Sequence, residues 1–226
     1  MSGLTIATKE CAVRLVTSSS DYWNRVAETK TFRHPLDVER VPMLVPRDAR
    51  ILDVGCGYGR TLEQLAALGY HRLVGVDTAG AMIARGRRLY PDLDLRVVAP
   101  GPLPFPDASF EAVFLIAVLT CVPADDDQRA LVAEIQRVLR PAGLLYVSDL
   151  LLAPDERNVA RYREDARRFP RYGVFEHPEG VVLRHHDPGW IHELTSGFGG
   201  VLFAEFEATT MTGNPARGFQ FVGRRG

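Results

Sequence analysis

The chain has 226 residues, 46% of them hydrophobic, with 27 Lys and Arg against 28 Asp and Glu and a formal net charge of −1. That length suits one ordinary domain or two small ones, and the apolar share is enough to fill a sizeable core. The balanced charge provides no field to gather DNA, RNA or an acidic membrane, so neither a nucleic acid nor a membrane is an expected partner. The cysteines, Cys11, Cys56 and Cys121, are far apart, odd in number and without metal-ligand spacing. They predict reduced thiols and no metal site. No basic-then-apolar leader precedes the body of the chain, and no apolar run reaches the ~20 residues of a membrane span, which predicts a cytoplasmic protein.

In chain order, residues 1–49 carry Asp21-Tyr22-Trp23 and Lys30-Thr31-Phe32-Arg33-His34, followed by a predicted helix from Pro35. Residues 50–151 then alternate apolar runs with amphipathic stretches. Strands are predicted at Arg50–Val54, Arg72–Val76, Leu95–Val98, Ala112–Ile116 and Gly143–Leu151. Between them, Thr61–Leu68, Ala79–Tyr90 and Asp125–Leu139 have helical spacing, and the last opens with three aspartates suited to a helix N-terminus. Residues 152–190 form a polar insertion with a hairpin pattern, Tyr172–Glu176 and Val181–His186 around a four-residue loop. Residues 191–226 supply a helix and two more strands, Val201–Thr209 and Gly218–Val222. With no repeat or linker, 1–226 is expected to be one α/β domain: a mostly parallel sheet with helices on both faces and an antiparallel end. Ligands of such sheets bind at the carboxyl ends of the strands, which places the loops after Val54, Asp77, Val98 and Ile116 around one crevice.

The loop Asp53-Val54-Gly55-Cys56-Gly57-Tyr58-Gly59 lets a ligand approach backbone without a Cβ in the way. Alone it is equally consistent with a tight turn. Asp77, ending the second strand, can accept hydrogen bonds from a ribose diol. A dinucleotide fingerprint wants G-x-G-x-x-G, and Arg60 stands where its third glycine would be, so a nicotinamide-dependent oxidoreductase fits less well.

Ile51–Gly59 resembles the first motif of class I S-adenosylmethionine (SAM)-dependent methyltransferases, and Val74-Gly75-Val76-Asp77 resembles their ribose motif. Leu103–Glu111 and Arg137–Gly143 resemble two further signatures, in the family's order and spacing. The resemblance implies a Rossmann-like seven-stranded sheet, SAM as cofactor and S-adenosylhomocysteine as product. It implies that Gly55, Gly57 and Gly59 line the methionine portion, with Asp53 structuring the loop. Asp77 would then hold the ribose, Thr78 and Met82 sit beside ribose and adenine, Leu103 flank the adenine, and Ile116 and Ala117 face the sulfonium. Where many relatives carry Gly-Asp-Ala this chain has Val98-Ala99-Pro100, so the usual acceptor for the adenine amino group is missing.

Pairing the predicted hairpin strands puts His185 on an apolar face opposite Tyr172, as a general base or substrate clamp, or as a core histidine bonded to the tyrosine. Phe175 and His186 fall on the other face, and a one-residue slip would exchange His186 for His185. His185, Tyr172 and His186 are thus the candidate catalytic residues. Trp23, His34, Phe175 and Glu176 are candidates for binding the substrate, and Tyr22 for closing over the cofactor. The alternative for Trp23 and Phe32 is that they pin the N-terminal segment to the core. The charged run Arg161–Arg171 is a solvated helix face or a contact for an acidic group on the substrate. Residues 1–49 and 152–190 are expected to form a lid and a cap over a small-molecule acceptor. Leu119–Pro123 and Arg184-His185-His186 also resemble bacterial enzymes that tailor aromatic, including indole-containing, secondary metabolites. That points to C- or N-methylation of such a compound. The alternatives are an O- or N-methyltransferase of another metabolite and a non-catalytic SAM-binding sensor.

Overall fold

The computed structural model describes residues 19–226; the first eighteen residues of the expected lid, Cys11 among them, lie outside it. The core is a seven-stranded sheet. Its strands are β1 (Arg50–Val54), β2 (Arg72–Asp77), β3 (Asp94–Val97), β4 (Phe110–Ile116), β5 (Leu139–Leu150), β8 (Phe198–Thr209) and β9 (Pro215–Arg225). They lie in the order β3-β2-β1-β4-β5-β9-β8. The first five are parallel, and β9 runs antiparallel between β5 and β8. This is the mostly parallel, doubly covered sheet that the strand–helix alternation predicts.

Alternation along the central strands sends side chains to two separate cores. Leu52, Val54, Val113, Leu115, Leu145 and Val147 pack on one face against α4 (Asp125–Val138) and α6 (Pro188–Leu194). Ile51, Ala112, Phe114, Leu144 and Tyr146 pack on the other against α1 (Val41–Leu44), α2 (Arg60–Ala67) and α3 (Gly80–Leu89). Strand order reverses between β1 and β4, which leaves a crevice at their carboxyl ends.

The helix expected from Pro35 is only the short α1. Asp37 accepts from the Arg40 amide (2.9 Å), forming a turn instead. A helix begun at Pro35 would set Pro42, which has no N–H, against the carbonyl of residue 38, and Pro46 follows closely.

Above the crevice sit α5 (Glu156–Asp165) and the hairpin β6 (Val174–Glu176) and β7 (Val182–Arg184). Its register pairs Val174 with Arg184, Phe175 with Leu183 and Glu176 with Val182, one residue away from the pairing expected from sequence. The cause is the turn. His177 and Val181 are bonded (2.8 Å), so the loop is the three residues Pro178–Gly180, with Gly180 at φ 85°. Three-residue loops closing on a left-handed glycine fix a different register from four-residue loops. Phe175, not Glu176, therefore shares the face of Leu183 and His185. The hairpin joins the sheet through backbone, His186 N to Leu150 O and Leu152 N to His186 O (3.0 and 2.8 Å). Among the described residues no helix is long and apolar enough to cross a membrane.

The packing of α3 on the glycine loop is tight enough to test. A Cβ at Gly86 would lie 2.7 Å from the Tyr58 carbonyl oxygen, whereas one at Gly80 has its nearest atom at 3.9 Å. Gly86→Ala is expected to cost roughly 1–3 kcal/mol by overpacking, while Gly80→Ala gains up to about 1 kcal/mol in chain entropy and helix propensity. Urea midpoints of the two variants should move in opposite directions.

Candidate functional site

The β1–α2 loop is built from left-handed turns, with Gly55 at φ 70°, Gly57 at φ 56° and Gly59 at φ 86°. A Cβ at Gly55 would meet Val118, and one at Gly57 would collide with the Phe32 ring, so the loop's bare backbone is in contact with the walls around it. Asp77 fixes its shape: one carboxylate oxygen accepts from the Gly57 amide (2.8 Å), the other from the Ala79 amide (2.7 Å). Ala117, just past β4, is held at φ 55° with its N–H on Ser148 O (2.8 Å). A non-glycine residue there is strained, and such strain gathers at functional sites.

These loops line a cavity of about 1730 Å³. Its wall brings together Asp53, Gly55, Gly57, Asp77, Thr78, Met82, Leu103, Ile116 and Ala117 from the core. Tyr22, Trp23 and His34 come from the N-terminal segment, and Phe175, Glu176 and His185 from the cap. Gly59, Tyr172 and His186 are not on the wall. Gly59 caps α2. Tyr172 is half exposed, its ring edge-on to Tyr162. His186 is wholly buried with both ring nitrogens engaged, Nδ1 with Leu150 O (3.0 Å) and Nε2 with Gln128 Nε2 (2.9 Å), and Gln128 in turn accepts from Trp190. It is a structural link between cap and α4, not a group free to act on a substrate.

His185 is bonded to a tyrosine, but to Tyr162 of α5 rather than Tyr172: its Nδ1 lies 2.6 Å from the Tyr162 hydroxyl. That hydroxyl also accepts from the Ala153 amide (3.4 Å), and Nδ1 is the acceptor for its single proton. The imidazole proton then resides on Nε2. Burial, first, and the nearby Arg161 charge hold the ring at about 3, so it is neutral at physiological pH. His185 presents a hydrogen-bond donor, not a base.

The N-terminal segment lies across the crevice. Residues 19–25 are helical; Trp23 packs edge-on to Tyr22 and Phe32, and Phe32 stacks on Tyr58. Tyr22 donates to Glu179 at the hairpin tip, Lys30 pairs with the same carboxylate (2.7 Å), and Arg25 reaches the Glu179 carbonyl (3.3 Å). Tyr22 is thus part of a clasp between lid and cap. His34 bonds Ser148 Oγ (2.9 Å), and its carbonyl accepts from Arg60 (2.6 Å).

Sequence reasoning missed several wall residues. Lys30 and Glu179 belong to the clasp, and only their spatial meeting reveals it. Residues 209–212 and Asn214, in the β8–β9 turn, carry no signal beyond polarity. Arg157 lies one turn before Arg161 of the charged run, with Arg168 further along the same face, a periodicity that could have marked it.

The donor set fits the cofactor the resemblance implies. Asp53 Oδ2 is buried without a partner, complementary to an amino-acid ammonium. Asp77 presents a carboxylate for a ribose diol, and Met82, Val98 and Leu103 form an apolar wall for a purine. Among the described residues no group of three or more His, Cys, Asp or Glu is arranged to hold a metal.

Two predictions follow from this geometry. Glu179→Gln loosens the clasp, so trypsin should cut after Arg25, Lys30 or Arg33 faster than in the parent chain; unchanged cleavage would show that the clasp does not hold the lid. The second concerns pH. Burial lowers His34 to about 4 and His185 and His186 to about 3. These rings charge in the unfolded chain below about 6.5 but not in the folded one, so stability falls with the pH there. Burial raises Asp53 to about 8 and Asp149 to about 7. These carboxyls keep protons in the fold that the unfolded chain has lost, so stability falls as the pH rises through 7 and 8. The opposed slopes predict a maximum in the urea midpoint near about pH 6.5; a midpoint that climbs steadily from pH 5 to 8.5 contradicts it.

Comparison with known proteins agrees with this picture. Residues 52–147 match the methyltransferase domain family. The 27-O-demethylrifamycin SV methyltransferase of Amycolatopsis mediterranei is 31% identical over 169 residues, 71% of this chain and 58% of that protein. An O-methyltransferase of Aspergillus nomiae is 32% identical over 127 residues, 52% of this chain and 55% of its own. The chain therefore spans little more than half the length of these curated relatives. Among solved structures, a SAM-dependent methyltransferase from Methanosarcina mazei superposes with a TM-score of 0.79 at 24% identity, over 85% of this chain and 99% of that one. The [4+2]-cyclase SpnF shares the fold at a TM-score of 0.59 and 19% identity, over 93% and 92%, a reminder that this architecture hosts more than one reaction. Residues 52–147 thus carry the methyltransferase domain, within a chain that takes the fold of the class I SAM-dependent methyltransferases, and SAM is the cofactor of that fold.

Proposed function

We propose that the protein transfers a methyl group to a small aromatic acceptor, such as an indole-containing secondary metabolite, at carbon or nitrogen. The observation that carries this reading is the cavity. At about 1730 Å³ it exceeds the roughly 300–1,000 Å³ that one small ligand fills. It is walled on one side by the glycine loop and Asp77 and on the other by lid and cap. Two small molecules fit it better than one, and a roofed cavity suits a metabolite better than a polymer.

SAM, when bound, supplies an electrophilic methyl group on a sulfonium. Asp53, Gly55, Gly57, Asp77, Thr78, Met82 and Leu103 are the residues assigned to hold it, with Ile116 and Ala117 at the reacting end. The protein's further task is to position the acceptor and exclude water. Tyr22, Trp23 and the Glu179 clasp close the roof, Phe175 backs the cap wall beneath Arg161, and His185 offers its Nε2–H to a lone pair on the acceptor. A wall histidine that donates rather than accepts favours a nucleophile that attacks before losing its proton, as an indole carbon does. Hydroxyl acceptors are the second reading. They are favoured by the names of the curated relatives, five of which carry O-methylation in them.

Calorimetry with SAM, S-adenosylhomocysteine and NADH tests the cofactor side. Micromolar binding of both adenosyl ligands and none of NADH is expected. Asp77→Asn, which keeps one acceptor for the loop amides, should weaken adenosyl binding roughly 10- to 100-fold through lost charged hydrogen bonds. Incubation with SAM and indolic or phenolic acceptors, read as a mass gain of one methyl, tests the transfer. SAM bound without any methylated product across both sets would favour the sensor.

A further inference from the structure

The arginines of α5 and its extension are not equivalent. Arg168 pairs with Asp165 and Glu176, and Arg157 lies 3.9 Å from Asp155. Arg161, between them, forms no ion pair among the described residues, and its Nε is buried without a hydrogen-bond partner. Its guanidinium carbon lies over the Phe175 ring, 3.7 Å from the centroid, and the group approaches the Tyr162 hydroxyl that holds His185. Arg161, Phe175 and His185 all line the cavity on the cap side, away from the glycine loop.

A half-buried guanidinium fork with an unmet donor is costly unless something completes it, and its natural complement is planar and anionic. The cation–π contact with Phe175 holds the guanidinium over that ring. Asp165 and Glu176 pair with Arg168, and Asp155, the acid whose charge reaches Arg161, accepts from Asn158 and lies 3.9 Å from Arg157. Beside the fork, the Nε2–H of His185 is a second donor.

We infer that Arg161 and His185 form a carboxylate-binding subsite on the cap side of the cavity, so that the methyl acceptor is an aromatic acid whose carboxylate meets Arg161. This rests on the reading of the cavity as a cofactor site joined to an acceptor site. The subsite selects acceptors by charge. Neutral aromatics of the same shape leave Arg161 unpaired and bind less tightly.

The test uses indole-3-carboxylate and its uncharged analogue indole-3-carboxamide, titrated calorimetrically into the protein saturated with S-adenosylhomocysteine. The acid is expected to bind about tenfold tighter than the amide. Arg161→Gln should erase that preference while leaving the affinity for S-adenosylhomocysteine and the thermal midpoint unchanged. Equal binding of acid and amide, binding of neither, or a preference that survives in Arg161→Gln would overturn the subsite. Failure of the parent protein to bind S-adenosylhomocysteine is a separate result, which removes the cofactor reading beneath it.

Discussion

The site depends first on the carboxylate of Asp77. It leaves the end of β2 and ties down two backbone amides, that of Gly57 in the β1–α2 loop and that of Ala79 before α3. Gly55 and Cys56 reinforce the same junction by donating to Val76 O (2.8 and 3.0 Å). Three successive left-handed glycines have no conformational preference of their own, so the loop acquires a single shape only because neighbouring strands dictate it. Everything assigned to the cofactor follows from that bracing: the unpartnered Asp53 oxygen beneath the loop, the α2 amides beyond it, and Phe32 laid across it.

Around this fixed floor the walls are assembled from distant parts of the chain, and they are assembled with charge. Arg60 holds the His34 carbonyl, Arg85 holds those of Ala27 and Lys30, and Glu179 gathers Tyr22 and Lys30. Arg184, fully buried, joins the cap hairpin to Asp125 (2.7 Å) and the Pro123 carbonyl (3.1 Å). A chain whose cations are nearly all arginine can use them this way because the guanidinium fork serves several carbonyl and carboxylate partners at once. Arg161 has no carbonyl or carboxylate partner among the described residues although its Nε is buried.

Much of the fold was legible because it is local. Period-two apolar runs, three helices with clear stops, and the Asp53–Gly59 and Asp77 spacing placed five strands and the crevice between them. The core side of the cavity wall was legible for the same reason, since its residues sit at strand ends. The cap was not. Its register turned on whether His177 belongs to the loop or to the ladder, a one-residue question that strand propensity does not answer and that exchanges Glu176 for Phe175 on the face of His185. Tyr162, the partner of His185, lies on a different helix, and the clasp joins residues about 150 positions apart (Lys30 to Glu179, |i−j| = 149). Neither leaves a trace in local pattern. The helix expected from Pro35 failed for want of weight on Pro42 and Pro46.

The two halves of the roof are attached by different means. The hairpin is stitched to the sheet by backbone hydrogen bonds beside Leu151 and His186. The described hydrogen bonds from residues 19–34 to the rest of the chain all use a side chain on one side or the other. Backbone ladders open only with the fold, whereas side-chain contacts break one at a time. The hairpin is therefore fixed as part of the sheet, whereas the N-terminal segment is held contact by contact, by side-chain bonds and by the packing of Trp23, Val26, Ala27 and Phe32 around Tyr58 and Met82. Its catch is ionic and partly solvated at Glu179, so salt loosens it without touching the floor below.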